Sequence, residues 1–149
     1  GITDPGRDSD ALISIMDIAP TLMALAGIND MPEGVAGRNL TPILNATSPA
    51  DWRDTLFTQF NGVELYYTQR MVHTRTHKYI YNGFDFDELY DLTKDPHELT
   101  NVSDRPDYQD IKRDLVGRMW RTALAEQDII SNPYATVAMA PWGPGLAFE

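Results

Sequence analysis

Polar and aromatic side chains that suit an anionic or a sugar ligand gather between residues 59 and 73. The set consists of Gln59, Asn61, Tyr66, Tyr67, Arg70 and His73. An arginine guanidinium can donate two parallel hydrogen bonds to an anion, and a tyrosine combines an apolar ring with a hydroxyl. We therefore interpret these residues as candidates for the rim of a substrate pocket. In the alternative interpretation, the two tyrosines pack within a loop and Arg70 pairs with a nearby carboxylate.

Residues for a metal site or for nucleophilic catalysis do not occur at the required spacings. The three histidines, His73, His77 and His97, show no metal-binding helical spacing. The acidic stretch 85–91 lacks the regular ligand spacing of a calcium loop. Cysteine is absent, no serine stands in a recognisable triad context, and no glycine-rich phosphate loop is present. We therefore predict no catalytic residue, metal ligand or cofactor within this chain.

The overall composition narrows the possible partners. The chain has 149 residues and a formal net charge of −10, which disfavours nucleic acid as a non-specific partner. No apolar run reaches the roughly 20 residues of a membrane span. The N-terminal GITDPGRDSD has neither the basic start nor the apolar core of a signal peptide. Because it resembles an internal loop, we expect a fragment of a larger protein.

The elements that must position the candidate residues are mostly short strands. Their β-branched and aromatic residues recur in 56–60, 71–72, 79–81 and 89–90. Asn82-Gly83 predicts a turn, because both residues tolerate positive φ. Lys78 is expected to pair with one of the carboxylates that follow it in the chain.

Two helices and one helix start are predicted. Ser14 and Asp17 resemble a capping box, and Pro20 is tolerable only in a first turn, so the helix effectively starts near Asp17. Its faces are nearly all apolar, which predicts burial on more than one side. After Pro106 an amphipathic pattern predicts a second helix. Asp95–Glu98 (DPHE) predicts a further helix start, with Asp95 as the cap.

Four segments in order carry a family resemblance. They are SIMDIAPTLMALAGI, GVAGRNLTPIL, RMVHTRTHKYIYN and ELYDLTKDPHELTNV, followed by the amphipathic helix with Trp120. This series resembles the C-terminal part of the type I (arylsulfatase-like) sulfatases of the alkaline phosphatase superfamily. The resemblance covers roughly residues 1–127 and leaves the tail outside.

The resemblance implies a large N-terminal α/β domain that carries the chemistry. In that family a cysteine or serine in a C/S-x-P-x-R motif becomes formylglycine, and a calcium ion lies beside the sulfate. This chain contains no such motif, so no catalytic residue of the family is carried over to a position here. The family habit favours a periplasmic or exported location, for which the residues themselves give no indication.

We therefore expect an α+β chain with three parts. Residues 1–50 would hold the terminal helix and crossover of the absent large domain, 51–128 a small sheet with a packed helix, and 129–149 an extended tail arm. The predicted function is the scaffold, and part of the pocket rim, of a hydrolase that cleaves a sulfated sugar or an aryl sulfate. Two alternatives stay open: a phosphate or phosphonate ester hydrolase of the same superfamily, and a non-catalytic carbohydrate-binding or interaction module. The isolated chain is expected to self-associate through its N-terminal helix.

Overall fold

The computed structural model describes residues 2–28, 30–31, 33–46, 49–63, 68–83, 85–132, 139 and 141–149. The chain divides into two compact units, Gly1–Leu56 and Phe57–Glu149. The described residues form short helices in the first unit and a four-stranded antiparallel sheet with one long helix in the second, which confirms the predicted α+β class. The predicted boundaries at residues 50 and 128 stay predictions. In the described ranges, no helix is both long and apolar enough to cross a membrane.

The N-terminal helix starts as its residues predict. The Ser14 N–H donates to Asp17 Oδ2 at 2.7 Å, and the Met16 N–H donates to Ser14 Oγ at 3.3 Å, which completes a capping box. A 3-10 turn, Ile15–Asp17, leads into helix α1, Ile18–Leu25. Pro20 lies in the first turn of α1, where its missing N–H removes no intrahelical bond. A second short helix, α2, spans Thr41–Leu44.

Asp17 joins three segments of the first unit. Arg53 donates from Nη1 and Nη2 to both carboxylate oxygens at 2.7 Å, and the Arg38 N–H donates to Oδ1 at 2.8 Å. Burial raises the pKa of Asp17, but the bonds from Arg53, Arg38 and Ser14 outweigh burial and hold the pKa below its ordinary value. The carboxylate is therefore the ionised centre of this unit.

Two further contacts join the start of α1 to the GVAGRNL segment. Thr21 Oγ1 donates to the Asp17 carbonyl at 2.6 Å and accepts from the Leu40 N–H at 2.8 Å. A Cβ atom at Gly37 would lie 2.0 Å from the Met16 carbonyl oxygen, so only glycine permits this approach. The start of α1 and the GVAGRNL segment therefore pack directly against each other.

The apolar side chains of the first helix face solvent in this structure. Ile15 is 83% exposed, Leu22 61% and Leu25 64%. Burial on several sides, which the apolar pattern predicts, is therefore not met by the described residues of this chain. The surface formed by Ile15, Ile18, Leu22 and Leu25 is called the apolar helix face below.

The second unit contains a sheet in the order β1-β2-β3-β4. The strands are β1, Leu56–Phe60; β2, Gln69–His73; β3, His77–Asn82; and β4, Glu88–Asp91. The register pairs Arg70 with Tyr81 and Val72 with Tyr79 across β2 and β3. Alternation along the strands gives these four residues one shared face, on which they are buried.

Helix α3, Gln109–Ala125, follows a 3-10 turn at Pro106–Tyr108, as the amphipathic pattern predicts. Its buried Leu115, Val116, Met119 and Trp120 join Val72, Tyr79 and Leu89 of the sheet in one apolar core. Fully burying such a side chain is worth about 1.5–3 kcal/mol. The second unit therefore has a closed core of its own.

The predicted helix start at Asp95 is wrong, because the segment forms turns. The Thr100 N–H donates to Asp95 Oδ2 at 2.8 Å, so Asp95 caps a turn instead of a helix. Glu98 has a φ of +56° and accepts from Lys78 Nζ at 2.6 Å. That ion pair confirms the expected partner class for Lys78.

The predicted Asn82-Gly83 turn forms, but not for the predicted reason. Neither residue has positive φ. Instead, the Gly83 N–H donates to the Thr68 carbonyl at 2.8 Å, and a Cβ at Gly83 would lie 2.9 Å from that oxygen. Glycine is needed for the close approach of two backbones.

The end of the chain packs on α3. The Trp120 Nε1–H donates to the Trp142 carbonyl at 2.7 Å, and Arg113 binds Glu149 through two hydrogen bonds. Residues Pro144–Phe148 form a 3-10 helix, where an extended arm is predicted. A Cβ at Gly117 would lie 2.7 Å from the Leu146 carbonyl, so the tail sits directly against the helix backbone.

Candidate functional site

The predicted rim residues fall into three groups in the structure. Gln59 and Asn61 are exposed, Gln59 on edge strand β1 and Asn61 directly after it. Tyr66 and Tyr67 lie outside the described residues. Arg70 and His73 belong to β2, three positions apart, and therefore point to opposite faces of the sheet. The described members thus do not form one cluster, and their role in a substrate rim stays a prediction.

Arg70 is fully buried, and each of its three guanidinium nitrogens donates a hydrogen bond. Its Nε donates to Asp128 Oδ2 at 2.7 Å and its Nη2 donates to Asp128 Oδ1 at 2.6 Å. Its Nη1 donates to the carbonyl of Gln69 at 2.7 Å and lies 3.4 Å from that of Phe60. This geometry matches the alternative interpretation, in which Arg70 pairs with a carboxylate. The pair connects β2 to the segment after α3.

Asp128 remains ionised in this buried position. Burial raises the pKa of its carboxyl, but hydrogen bonds from Arg70 and from the Ile130 N–H outweigh burial and hold the pKa below its ordinary value. A buried arginine without this carboxylate would be an uncompensated charge. Arg70 and Asp128 therefore stabilise the unit together, and neither presents a free charge to a ligand.

His73 lies on the opposite face, beside Lys78 in the register of β2 and β3. Burial and the positive charge of Lys78 lower the pKa of His73, while Glu98 raises it. The net effect favours the neutral imidazole, which can donate one hydrogen bond and accept another. A neutral ring suits a hydroxyl partner better than it suits a sulfate.

The polar residues of the ELYDLTKDPHELTNV segment make structural hydrogen bonds, many of them to Asp91. Asp91 accepts from the Thr93 hydroxyl at 2.5 Å, from Lys94 Nζ at 3.0 Å and from the Tyr108 hydroxyl at 2.9 Å. Its pKa is held well below the ordinary value, first by the Thr93 hydroxyl and despite partial burial. Asn101 Oδ1 accepts from the Leu89 and Ser103 N–H groups at 3.1 and 2.9 Å. These polar side chains close the turns between β4 and α3.

The residues present do not fit a calcium or formylglycine site. Among the described residues, no group of three or more His, Cys, Asp or Glu side chains could hold a metal ion. The whole chain contains neither cysteine nor a serine in the x-P-x-R context that formylglycine requires. No step of a sulfatase reaction can therefore be assigned to a residue of this chain.

A cavity of about 520 Å³ lies in the second unit, where sequence patterns gave no indication of one. It opens between the turn after β3, helix α3 and the C-terminal segment. Its walls are Tyr81, Asn82, Gly83, Asp85, Phe86, Asp87, Asp104, Lys112, Met139 and Trp142. Lys112 is a charged residue on the buried face of α3, because it stands one and two turns before the buried Val116 and Trp120. Its ammonium group therefore belongs to the wall of a cavity that is open to solvent.

Comparison with known proteins agrees with this architecture. Residues 1–125 match the family described as N-sulphoglucosamine sulphohydrolase, C-terminal. An N-acetylglucosamine-6-O-sulfatase of Bacteroides thetaiotaomicron is 29% identical over 133 residues, which cover 83% of this chain and 23% of that protein.

Two solved structures share the fold. One is a protein solved in complex with its substrate, D-glucosamine-2-N,6-O-disulfate. It is 26% identical, with a TM-score of 0.67, and the match covers 76% of this chain and 24% of that protein. The other is a phosphonate monoester hydrolase of Agrobacterium radiobacter, with a TM-score of 0.68, 27% identity, and coverage of 83% and 27%.

The chain thus spans about a quarter of the length of these relatives. The matched region contains the first unit and the second unit as far as the end of α3, and it leaves out residues 126–149. The family match and the shared sheet-plus-helix fold agree with the resemblance carried by the four sequence segments. The chain belongs to the C-terminal domain family of N-sulphoglucosamine sulphohydrolase, among the sulfatases of the alkaline phosphatase superfamily.

Proposed function

We propose that the protein containing this chain hydrolyses sulfate esters, and that the chain is its C-terminal, non-catalytic portion. The family match over residues 1–125 carries this proposal. The absence of a catalytic motif from the sequence agrees with it, because the chemistry then belongs to the remaining part of the protein. The parent enzyme would use formylglycine as the nucleophile and calcium to hold the sulfate. Neither group would be bound by residues of this chain.

The apolar helix face supports a large partner domain in the same protein. Exposed apolar side chains that lie next to one another mark an interaction surface. The helix that carries most of them begins directly after Asp17, and the ion pair of Asp17 with Arg53 fixes that end of the helix within the first unit. We assign its cover to the catalytic domain. Without that cover, the isolated chain is expected to self-associate.

A sulfated sugar is the substrate class that the relatives favour. One related protein is named for N-acetylglucosamine 6-O-sulfate, and one structure holds a disulfated glucosamine. In this chain, the exposed Gln59 and Asn61 carry amide groups that can donate to sugar hydroxyls and accept from them. We propose them as rim residues, together with Tyr66 and Tyr67. The fully buried Arg70 is a support for this strand pair.

A phosphonate monoester hydrolase is the second candidate, because one such enzyme shares the fold at similar identity. The two readings differ in the ratio of specificity constants for matched substrates. We expect the intact protein to hydrolyse 4-nitrophenyl sulfate with a higher kcat/KM than 4-nitrophenyl phenylphosphonate. A ratio reversed in favour of the phosphonate would replace the proposed function by the second candidate. If the protein hydrolyses none of the three, neither of the two esters nor a sulfated sugar, the result would favour the alternative of a non-catalytic binding module.

A further inference from the structure

We propose that the 520 Å³ cavity of the second unit binds an uncharged, hydroxyl-rich ligand of the size of a hexose. Cavities of about 300–1,000 Å³ are typical of small-molecule sites in proteins. The proposal concerns residues that take no part in the predicted rim. It is independent of which ester the protein hydrolyses.

Two side chains that line the cavity can donate hydrogen bonds to a ligand. Tyr81 is 8% exposed, and among the described residues its hydroxyl has no hydrogen-bond partner. Lys112 is 6% exposed; its Nζ lies 3.5 Å from Asp87 Oδ2 and makes no closer polar contact within the described part of the chain. An ammonium group has three protons to donate. Because the cavity is open to solvent, either water or a bound ligand can supply the acceptors for these donors.

Burial, and then the negative charge of Asp87, raise the pKa of Tyr81 above its ordinary value, while Arg70 opposes the shift. The phenol therefore keeps its proton. It can donate one hydrogen bond and accept another, as a sugar hydroxyl also does.

The charges of the wall select against ions of both signs. Asp85, Asp87 and Asp104 line the cavity together with one ammonium, Lys112, so the formal charge of the lining is negative and a sulfate or carboxylate would be repelled. A metal ion is disfavoured as well, because no three acidic or histidine side chains of the described residues come close enough to share one. A neutral polyol uses the same carboxylates as acceptors and the same ammonium as a donor.

Apolar surface completes the wall. Trp142 is half-buried, and Lys112 Nζ lies 5.3 Å from the centre of its ring, so the ammonium orients the indole. Met139 is buried beside it. Sites for small molecules combine such apolar and aromatic surface with a few fixed polar groups. A pyranose ring has both an apolar C–H surface and hydroxyls at its edge, and therefore fits this division.

The experiment is a calorimetric titration of the intact protein with three probes that differ in charge. They are N-acetylglucosamine, the cationic glucosamine and the anionic N-acetylglucosamine 6-sulfate. Tyr81→Phe removes only the cavity hydroxyl, and Trp142→Leu removes the ring. The matched control is Tyr90→Phe on the neighbouring strand β4. It also removes a tyrosine hydroxyl, but that hydroxyl donates to Glu88 and Tyr90 does not line the cavity.

We expect binding of N-acetylglucosamine that weakens about fivefold in Tyr81→Phe, because one hydrogen bond is lost, and about tenfold or more in Trp142→Leu. Tyr90→Phe should bind like the wild type. Absence of binding for the neutral sugar would overturn the proposal, as would equal affinity in Tyr81→Phe and the wild type. Tighter binding of the sulfated sugar that depends on Tyr81 would also overturn it, since the site would then select an anion. If Trp142→Leu does not fold, Tyr81→Phe alone decides.

Discussion

The two units of the chain treat apolar side chains in opposite ways. In the second unit, Trp120 and Met119 of α3 are fully buried against the sheet. In the first unit, Leu22 and Leu25 of α1 are more than half exposed, although their sequence is at least as apolar. The difference teaches that the second unit completes its own core, whereas the first is held together by polar contacts and leaves its apolar side for another surface.

Both units nevertheless use the same polar device. An arginine binds a buried aspartate through two hydrogen bonds, Arg53 with Asp17 in the first unit and Arg70 with Asp128 in the second. In the first unit this pair is the centre of the structure. In the second it lies beside an apolar core that would remain without it. Substitutions in the apolar core and in the arginine–aspartate pairs therefore measure separately what apolar packing and polar contacts contribute to stability.

The largest effect is expected in the closed core. Trp120→Ala should lower the free energy of unfolding by about 3–5 kcal/mol, because it leaves a cavity in packed surroundings. Leu22→Ala should change it by less than about 0.5 kcal/mol, because its side chain is already exposed. Chemical denaturation of the two variants of the isolated chain, at concentrations low enough to keep it monomeric, measures the contrast. Equal losses would show that α1 is buried in solution and that the comparison is false.

The buried ion pair of the second unit should come next. Arg70→Ala leaves Asp128 buried without its partner and should cost about 3 kcal/mol. The control is Arg105→Ala, which breaks a solvent-exposed pair with Asp107 and should cost much less, because water screens an exposed ion pair. Denaturation at neutral pH gives both values. A loss for Arg70→Ala no larger than that of the control would contradict a structural role and would return Arg70 to the candidate rim.

The same pair predicts a dependence on pH. The pKa of Asp128 is lower in the folded than in the unfolded protein, so its contribution is present above the ordinary carboxyl pKa of 3.8 and is lost as pH falls through the folded value. Asp128→Asn lacks this contribution at every pH. The difference in unfolding free energy between wild type and variant should therefore shrink between about pH 5 and pH 2. A difference that stays constant or grows would contradict an ionised Asp128.

The smallest effect on stability is expected on the apolar helix face. Replacing Ile18 and Leu22 together with serine should change the unfolding free energy by less than about 1 kcal/mol. Self-association of the isolated chain should decrease markedly, because the exposed apolar area is reduced. Light scattering over a range of concentrations measures this. A wild-type chain that is already a monodisperse monomer would show that the face needs no cover.

Local chemistry was predictable from the sequence. The capping box of Ser14 and Asp17, the first-turn position of Pro20 and the strands of the sheet follow from residues close together in the chain. Asp95 shows the limit of such patterns, because the same cap residue serves a turn once Glu98 is bound by Lys78.

Contacts between distant residues were not predictable. Asp128 stands 58 residues after Arg70, so nothing in the local pattern identifies it as the partner. The cavity is formed by the turn after β3, by α3 and by the C-terminal segment, and no local pattern indicates that these three segments meet. The scaffold could therefore be read from sequence, whereas the buried pair and the cavity required the fold.

The most direct test of the account is to measure hydrolysis of 4-nitrophenyl sulfate by this chain alone, with and without calcium, and again after it is combined with the remainder of the protein. The chain alone should show no turnover under either condition, and turnover should appear only when the catalytic part is present. Calcium-dependent or calcium-independent turnover by the isolated chain would contradict it, because a reaction centre would then lie within these 149 residues.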